Sequence, residues 1–391
     1  MQIKLKIKYL IIKLIQIIFK KEEKQCNEFN KSQINKILII RLDEIGDVIM
    51  TIPFIRELRR NFPNAEITLI VKPQTYNLVE LCPYVDKVLI FNKFFGKFAF
   101  FVNIIKSYNF SKNFLIKKNF DLVIVPRYDV DIYCASYLAF FSRAKIRVAY
   151  SEYVTSMKKT ENKGYNRFFT HIIDDSCYLH EVERNLNIIC FFKGDIVNKD
   201  LEIWLDDNDK RFKNNKNKIL IAISTVASRD NKEWNINNYK KLITYLNKNI
   251  NIDIVLIGNG DRAVMQAKFL EKNCDIKYNF VNKTTLRESL GILQKCDLYL
   301  GGDTGPTHMA AAVGLNGIAL YRNNYSKINF GYDSPERFGP WNSKIITMTP
   351  RNIYFNQITS IDSITVDDVY KILNKLLKKI KNNNHKFKMV K

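Results

Sequence analysis

Histidine is scarce in this chain, four in 391 residues, too few for a histidine-rich metal centre. The seven cysteines, Cys26, Cys82, Cys134, Cys177, Cys190, Cys274 and Cys296, form no close pair at metal or redox spacing, and their number is odd. That distribution fits a reduced, cytoplasmic setting. No apolar run has the length and freedom from charge that crossing a bilayer demands: Lys13 interrupts the stretch from Tyr9 to Phe19, and no small-residue cleavage site follows it. Neither a complete GxGxxG nor a Walker pattern is present, which argues against a dehydrogenase or a nucleoside triphosphatase. Acidic residues are in deficit, 39 against 62 Lys and Arg, for a formal net charge of +23. An anionic partner is expected from that imbalance: nucleic acid, a membrane face or a phosphorylated substrate. Abundant Lys, Asn and Ile also fit a compositional bias of the source.

What is present is a chain 46% hydrophobic and long enough for two globular domains, each with its own core. Its first segment, MQIKLKIKYLIIKLIQIIFK, reads as a helix on which Lys6, Lys13 and Lys20 recur at intervals of seven, leaving Leu10, Ile11, Leu14, Ile15 and Ile18 on the remaining surface. Lys4 and Lys8 fall on that surface too. Such a helix lies on an anionic membrane or packs on the protein's own body. A polar linker, Glu22 to Ser32, follows.

Lys36 to Ile40 then opens an α/β series: strand, the loop RLDEIGD, a helix carrying Phe54, Ile55 and Leu58, and the strand AEITLIV. Gly46 permits a sharp bend at the carboxyl end of the first strand, where ligand sites of open α/β sheets form, so Asp47 is either a helix cap or a group placed for chemistry. After the strand Lys87 to Phe91 comes an aromatic, lysine-rich stretch without acid, Lys93 to Phe120. Its surface suits lipid, stacked single-stranded nucleic acid, or burial as core. The strands Asp121 to Val125 and Arg147 to Tyr150 and a helix from His180 complete this half, and Asp129 and Asp131 have the spacing of a carboxylate pair for a cation without a second ligand cluster.

Lys193 to Lys218 is polar and carries the expected domain boundary. A second α/β series follows: the strand Lys218 to Ile223, the loop STVASRDNKEWN, the helix from Asn237 to Leu246, the strand IDIVLIG with GNGDR after it, and the strand Lys277 to Val281. Next stands DLYLGGDTGPTHMAAAVGLNGIALY, Asp297 to Tyr321, which reads as strand, tight turn, helix, strand. Pro306 suits the first helical position, with Thr304 and Gly305 at the cap and His308 in the first turn. The free backbone donors and the helix dipole make that turn an anion site, and Gly301, Gly302 and Gly305 leave the main chain open to a ligand. Asp303 would cap the helix, hold His308 or accept a sugar hydroxyl; the plainer reading makes Asp303 and Thr304 simple caps. A turn-rich loop from Gly331, a helix Val366 to Ile380 and a basic tail ending at Lys391 close the chain.

Two stretches, ILIIRLDEIGDVIMTIPFIRELRRNFPNAEITLIV and DLYLGGDTGPTHMAAAVG, resemble the amino-terminal and donor motifs of glycosyltransferase family 9, the ADP-heptose:lipopolysaccharide heptosyltransferases, in the family's order across residues 34–350. The resemblance implies an α/β chain of GT-B architecture, two Rossmann-like domains with parallel sheets facing across a cleft. It divides the chain into a basic amphipathic segment with its linker (1–33), an acceptor-side domain (34–195), a linker (196–217), a nucleotide-sugar domain (218–355) and a terminal helix with a basic tail (356–391). It implies an inverting, metal-independent transfer of heptose from ADP-heptose to a lipopolysaccharide core acceptor, without cofactor. The amino-terminal helix and the insertion Lys93 to Phe120, which are not core family features, would hold the enzyme at the inner face of the cytoplasmic membrane, where a lipid-linked acceptor is presented.

The family's general base falls on Asp47 and its phosphate-contacting lysine on Lys232, with Ser224, Thr225 and Ser228 nearby as hydroxyl donors. Asp303, Thr304, Gly305 and His308 match the donor turn, and Asp261 stands where an acidic group near the nucleoside is frequent. Departures are Asn235 in place of a usual proline, Thr225, Val226 and Ala227 in place of a glycine-containing turn, and the aromatic, basic insertion. Other readings are a related transferase with a different nucleotide sugar, a non-catalytic sugar-nucleotide-binding homologue, and a nucleic-acid-binding protein. The last lacks any recognised motif, and its basic residues are spread rather than gathered, so nucleic acid is not the expected partner.

Overall fold

The computed structural model describes residues 2–19, 30–214, 218–322, 334–350 and 360–389. Most of the linker at Glu22 to Ser32, the start of the loop at Gly331 and the last residue, Lys391, lie outside them. The chain forms two compact units, Met1–Lys199 and Asp200–Lys391.

The first unit holds strands β1 (Lys36–Ile40), β2 (Glu66–Val71), β3 (Lys87–Ile90), β4 (Leu122–Val125), β5 (Ile146–Tyr150) and β6 (His171–Ile173). Its helices are α1 (Gln2–Phe19), α2 (Ile45–Asn61), α3 (Pro73–Val79), α4 (Ala99–Phe110), α5 (Ala135–Phe141), α6 (Ser156–Glu161) and α7 (Glu181–Phe191). The sheet is parallel throughout, in the order β3-β2-β1-β4-β5-β6. A sheet covered on both faces must be apolar on both, which is why β1 reads as the unbroken run KILII and why Ile37, Leu38, Ile39 and Ile40 are all buried. Each such side chain contributes roughly 1.5–3 kcal/mol of hydrophobic stabilisation.

The second unit repeats the plan with β7 (Ile219–Ser224), β8 (Ile252–Leu256), β9 (Tyr278–Asn279), β10 (Leu298–Gly302), β11 (Asn316–Leu320) and β12 (Ile345–Met348). Its helices are α8 (Ile236–Asn249), α9 (Asp261–Asn273), α10 (Leu286–Leu293), α11 (Gly305–Ala312), α12 (Pro335–Phe338) and α13 (Val366–Met389). The strand order β12-β11-β10-β7-β8-β9 is again fully parallel. Numbered within its own unit, each sheet runs 3-2-1-4-5-6, the doubly wound dinucleotide-binding order, whose strand direction of travel reverses between its first and fourth strands. Those reversal points are β1/β4 and β7/β10, and in sheets of this order ligands bind there, outside the carboxyl ends of the strands.

Three sequence expectations resolve here. Helix α1 packs on its own unit: Ile12 and Ile15 enter the core, and the Phe19 ring meets Tyr108 at 5.2 Å and Phe141 at 5.4 Å. The aromatic insertion is divided, for Phe100, Tyr108 and Phe110 pack against the core while Phe98 and Phe101 stand in solvent. Asp131 accepts hydrogen bonds from the backbone N–H groups of Tyr133, Ala135 and Ser136 at 3.0, 3.2 and 2.7 Å, so its carboxylate caps α5.

Candidate active site

At the first reversal point the chain leaves β1 at Arg41, a guanidinium only 1% exposed. So deep a charge must be paired. Arg41 Nε lies 3.2 Å from Asp43 Oδ2, and its Nη2 lies 3.5 Å from Glu181 Oε1 and 3.8 Å from Asp47 Oδ1. Asp43 in turn pairs with Arg127, which follows β4, so an ion pair ties the loop after β1 to the loop after β4. Beside it, Glu44 binds Lys72 Nζ at 2.6 Å and accepts the Tyr133 hydroxyl at 2.8 Å, while Lys72 and Arg127 lie over the Tyr133 ring.

Asp47 is the third residue of α2. The Glu44 backbone N–H donates to its Oδ2 at 3.2 Å, so the cap reading holds. The chemical reading stands with it, since the side chain keeps 22% of its surface open. Burial pushes its carboxyl up to about 6, Arg41 pulls it down, Glu181 and Asp129 push it up, and the Glu44 N–H pulls it down. A carboxylate with that affinity is mostly ionised near neutrality yet holds a proton better than an ordinary aspartate.

At the second reversal point two loops meet in the same way. Lys232 ends a short 3-10 turn, Asp230–Lys232, in the loop after β7, and Asp303 follows β10 directly. Lys232 Nζ lies 2.7 Å from Asp303 Oδ2, both side chains largely buried. Thr304 is the N-cap of α11 in extended conformation, with Gly305 as the first helical residue and Pro306 second. The helix thus starts one residue earlier than proline grammar places it. Pro306 brings no N–H and the Thr307 N–H donates to the Thr304 carbonyl at 3.1 Å, so it is the N–H groups at Thr304 and Gly305 that lack an intrahelical acceptor and suit an anion beside Lys232. His308 is buried in the same helix.

The glycines before the turn differ in role. At Gly301 a Cβ would stand 2.1 Å from the Tyr299 hydroxyl, which meets Thr307 Oγ1 at 3.0 Å; the missing side chain makes room for that tyrosine, not for a ligand. At Gly302 the nearest atoms would be 3.6 Å away, so that position carries no such constraint.

The loop carrying Lys232 is braced from behind. Glu233 accepts the Ala227 N–H at 2.9 Å and the Gln266 amide at 3.0 Å and pairs with Arg262 at 2.9 Å. Trp234 is buried, donates its indole N–H to the Ile364 carbonyl at 2.8 Å and meets Tyr239 edge-on at 4.9 Å. Thr225 sits buried directly after β7, and Ser228 is exposed in the loop. Asp261 is exposed as the first residue of α9, after Gly258 and Gly260 with φ of +152° and +98°. Its tie to the Lys232 loop runs through the next residue, Arg262.

The structure therefore joins Lys232 to Asp303 and sets Asp47 among Arg41 and Glu181. Sequence reasoning missed Arg41, Asp43, Arg127 and Glu181. The signal for Arg41 and Asp43 was present, two opposite charges directly after an apolar strand; the partners from β4 and α7 required the topology.

The family model for glycosyltransferase family 9 (heptosyltransferase) matches residues 112–356, which include Lys232 and the turn at Asp303. The lipopolysaccharide core heptosyltransferase OpsX of Haemophilus influenzae is 22% identical over 314 residues, 78% of this chain and 82% of that protein. Among solved structures, a family 9 glycosyltransferase from Veillonella parvula is similar with a TM-score of 0.72 at 20% identity, covering 88% of this chain and 97% of that one. The Escherichia coli heptosyltransferase WaaC with ADP follows at a TM-score of 0.66 and 16% identity, covering 87% and 99%. These two likenesses establish the fold, and the family model, matching more than half of the residues, establishes the lineage: the chain belongs to glycosyltransferase family 9, the heptosyltransferase family, and is a transferase enzyme of α/β, GT-B type.

Proposed function

We propose that the enzyme moves a heptose from ADP-heptose to a lipopolysaccharide core acceptor, with inversion at the anomeric carbon and without a metal ion. The observation that carries the donor side of this reading is the ion pair of Lys232 and Asp303 across the second reversal point, next to the open amino end of α11. A nucleotide diphosphate leaving group gathers negative charge as its bond to the sugar breaks. Lys232, the backbone N–H groups at Thr304 and Gly305, and the hydroxyls of Thr225 and Ser228 are the groups we assign to that charge, with Asp303 orienting the ammonium and His308 behind it. Asp261 we assign to the nucleoside side.

On the acceptor side Asp47 is the general base. Attack by a sugar hydroxyl requires its proton to leave as the new bond forms, and a partly open carboxylate raised to about 6 takes that proton near neutral pH and later releases it to water. Inversion follows from a single displacement, in which the hydroxyl oxygen forms its bond to the anomeric carbon opposite the departing diphosphate. Arg41, Asp43 and Glu181 act through Asp47 as positioning residues.

The reading includes a cytoplasmic enzyme in peripheral contact with an anionic membrane face, where a lipid-linked acceptor is presented. Among the described residues no helix is long and apolar enough to cross a membrane. The charge of +23 favours such a surface. The test is nucleotide release from ADP-heptose, UDP-sugars and GDP-sugars, with and without heptose-free lipid acceptor and chelator. Acceptor-dependent, chelator-resistant ADP release is expected. Release from a UDP- or GDP-sugar in its place overturns the donor assignment, and loss of turnover with chelator overturns metal independence.

A further inference from the structure

Helix α1 is apolar on two opposite sides. One side, with Ile12 and Ile15, is core; the other carries Ile7, Leu10, Leu14, Ile17 and Ile18, all in solvent, with Ile17 73% and Ile18 70% exposed. Helix α4 is also apolar on two sides: Phe100, Ile104 and Tyr108 pack against the core, while Phe101 and Ile105 are exposed together with Phe98, the residue before the helix, at 77% exposure. Phe95 and Phe114 extend this exposed set on either side. The two helices meet where Phe19 of α1 packs on Tyr108 of α4, so the exposed stripes belong to neighbouring elements of one unit. Scattered surface apolar residues need no explanation, but grouped stripes on two touching helices mark an interaction surface.

We infer that these two stripes form one membrane-docking surface whose occupant is an anionic lipid bilayer; the inference rests on the transferase reading only for its biological purpose. Charge selects the occupant. Residues 1–20 and 93–120 contain no acidic residue, and Lys6, Lys97, Lys112 and Lys117 are exposed beside the apolar side chains. A second copy seated on the same surface would bring lysines against lysines. Nucleic acid answers the charge and the exposed Phe rings, but not the α1 stripe, whose Ile and Leu offer no ring for a base to stack on. An anionic bilayer answers both: the apolar stripes enter the acyl boundary and the lysines stay with the headgroups.

A groove of about 630 Å³ opens beside α1. Lys6, Tyr9, Tyr153, Lys159 and Lys163 line it together with Glu152. Lys163 lies over the Tyr9 ring and Lys159 over the Tyr153 ring, so ammonium groups are held around an opening large enough for a phosphate headgroup. The headgroup class assigned to it is a phosphomonoester or phosphodiester.

The test is sedimentation of the full chain, without donor or acceptor, with vesicles of phosphatidylcholine alone or mixed with phosphatidylglycerol. Anionic vesicles are expected to bind at least about tenfold more tightly, and high salt to weaken them. Two triple variants, Leu10→Ser/Ile17→Ser/Ile18→Ser and Phe98→Ser/Phe101→Ser/Ile105→Ser, should each lose about tenfold of that affinity while keeping the parent's circular dichroism, since the altered side chains are exposed. Lys6→Gln/Lys159→Gln/Lys163→Gln should lose the preference for anionic over neutral vesicles. Unchanged binding by both apolar variants overturns the inference. So does a parent dimer that both variants dissociate, or a single-stranded oligonucleotide that binds through the same residues. Failure here leaves sugar transfer untouched, because no sugar substrate is present; absence of transfer to a detergent-dispersed acceptor, with vesicle binding intact, overturns only the catalytic reading.

Discussion

Lys232 and Asp303 are joined at 2.7 Å across the gap between β7 and β10, and Arg127 and Asp43 are joined across the equivalent gap between β4 and β1. Each unit thus closes its reversal point with one ion pair between the loops that follow its first and fourth strands. In both, neither partner is fully exposed, so the pair costs desolvation and gives geometric definition in return. If Lys232 binds phosphate as proposed, placing its ammonium beside a helix amino terminus is a sound use of that cost, since a binding group that is already ordered loses less entropy when the ligand arrives.

From this, Lys232→Met should weaken donor binding by about 10- to 100-fold, read by calorimetry with ADP-heptose. It should also lower the stability, because the largely buried Asp303 carboxylate loses the ammonium it pairs with. The double variant Lys232→Met/Asp303→Leu separates the two effects: the melting midpoint should recover substantially and donor binding should not. Recovery of donor binding in the double variant would assign the lysine a structural role alone.

Asp47 gives a pH prediction with a definite sign. Its carboxyl is raised from 3.8 to about 6, first by burial, so kcat/KM should fall with unit slope as pH drops below about 6. For stability the direction is opposite. Between the unfolded value, 3.8, and about 6 the folded state holds the proton more tightly, so stability declines as pH rises through that window. Asp47→Asn should therefore abolish the acidic limb together with turnover, retain donor binding, and flatten the stability profile across the same window. An active Asp47→Asn enzyme would remove the proposed base.

Lys158 titrates in a different window. It is buried on α6 with its ammonium 3.0 Å from the Tyr150 carbonyl, and burial pushes it from 10.5 down to about 7, against the pull of Asp131 and Asp129. Above about 7 the unfolded chain binds the proton that the folded one has released, so stability should rise with pH from there toward 10.5. The slope is at most about 1.4 kcal/mol per pH unit. Lys158→Met should remove that rise, read as the denaturation midpoint against pH, and a parent profile flat across the window would show the ammonium to be solvated.

How far this was legible beforehand depends on whether a residue's partners are local. The strands were legible because buried parallel strands are continuous apolar runs, as in KILII or LVIV, and the turn at Asp303 because glycine, threonine and proline punctuate it. The pairing of Lys232 with Asp303 was not, since 71 positions separate them and only the parallel order brings β7 beside β10. Likewise Glu181 reads as an ordinary first-turn acid of α7 until packing sets it against Arg41. The short strand β6 and the helices α3 and α6 lack a periodic pattern long enough to see.

Asn235 tests whether a departure from the family pattern is adaptive. Where the resemblance places proline, this chain has a residue whose side chain accepts the Asn237 N–H at 2.9 Å, capping α8, and whose own N–H donates to Asp362 Oδ1 at 2.7 Å. Its φ of −55° is one that proline adopts readily. Asn235→Pro would stiffen the unfolded chain, a gain of about 0.4–1 kcal/mol. It would lose the cap, about 1 kcal/mol, and an N–H to carboxylate bond of roughly 1.5 kcal/mol, discounted for exposure. The losses exceed the gain, so the variant should melt lower, by an amount equivalent to roughly 1 kcal/mol. Asp362→Ala should then destabilise the parent and leave the proline variant nearly unchanged, a coupling that a double-mutant cycle reads directly. Additive effects would mean that the two residues act independently and that proline is excluded at position 235 for another reason.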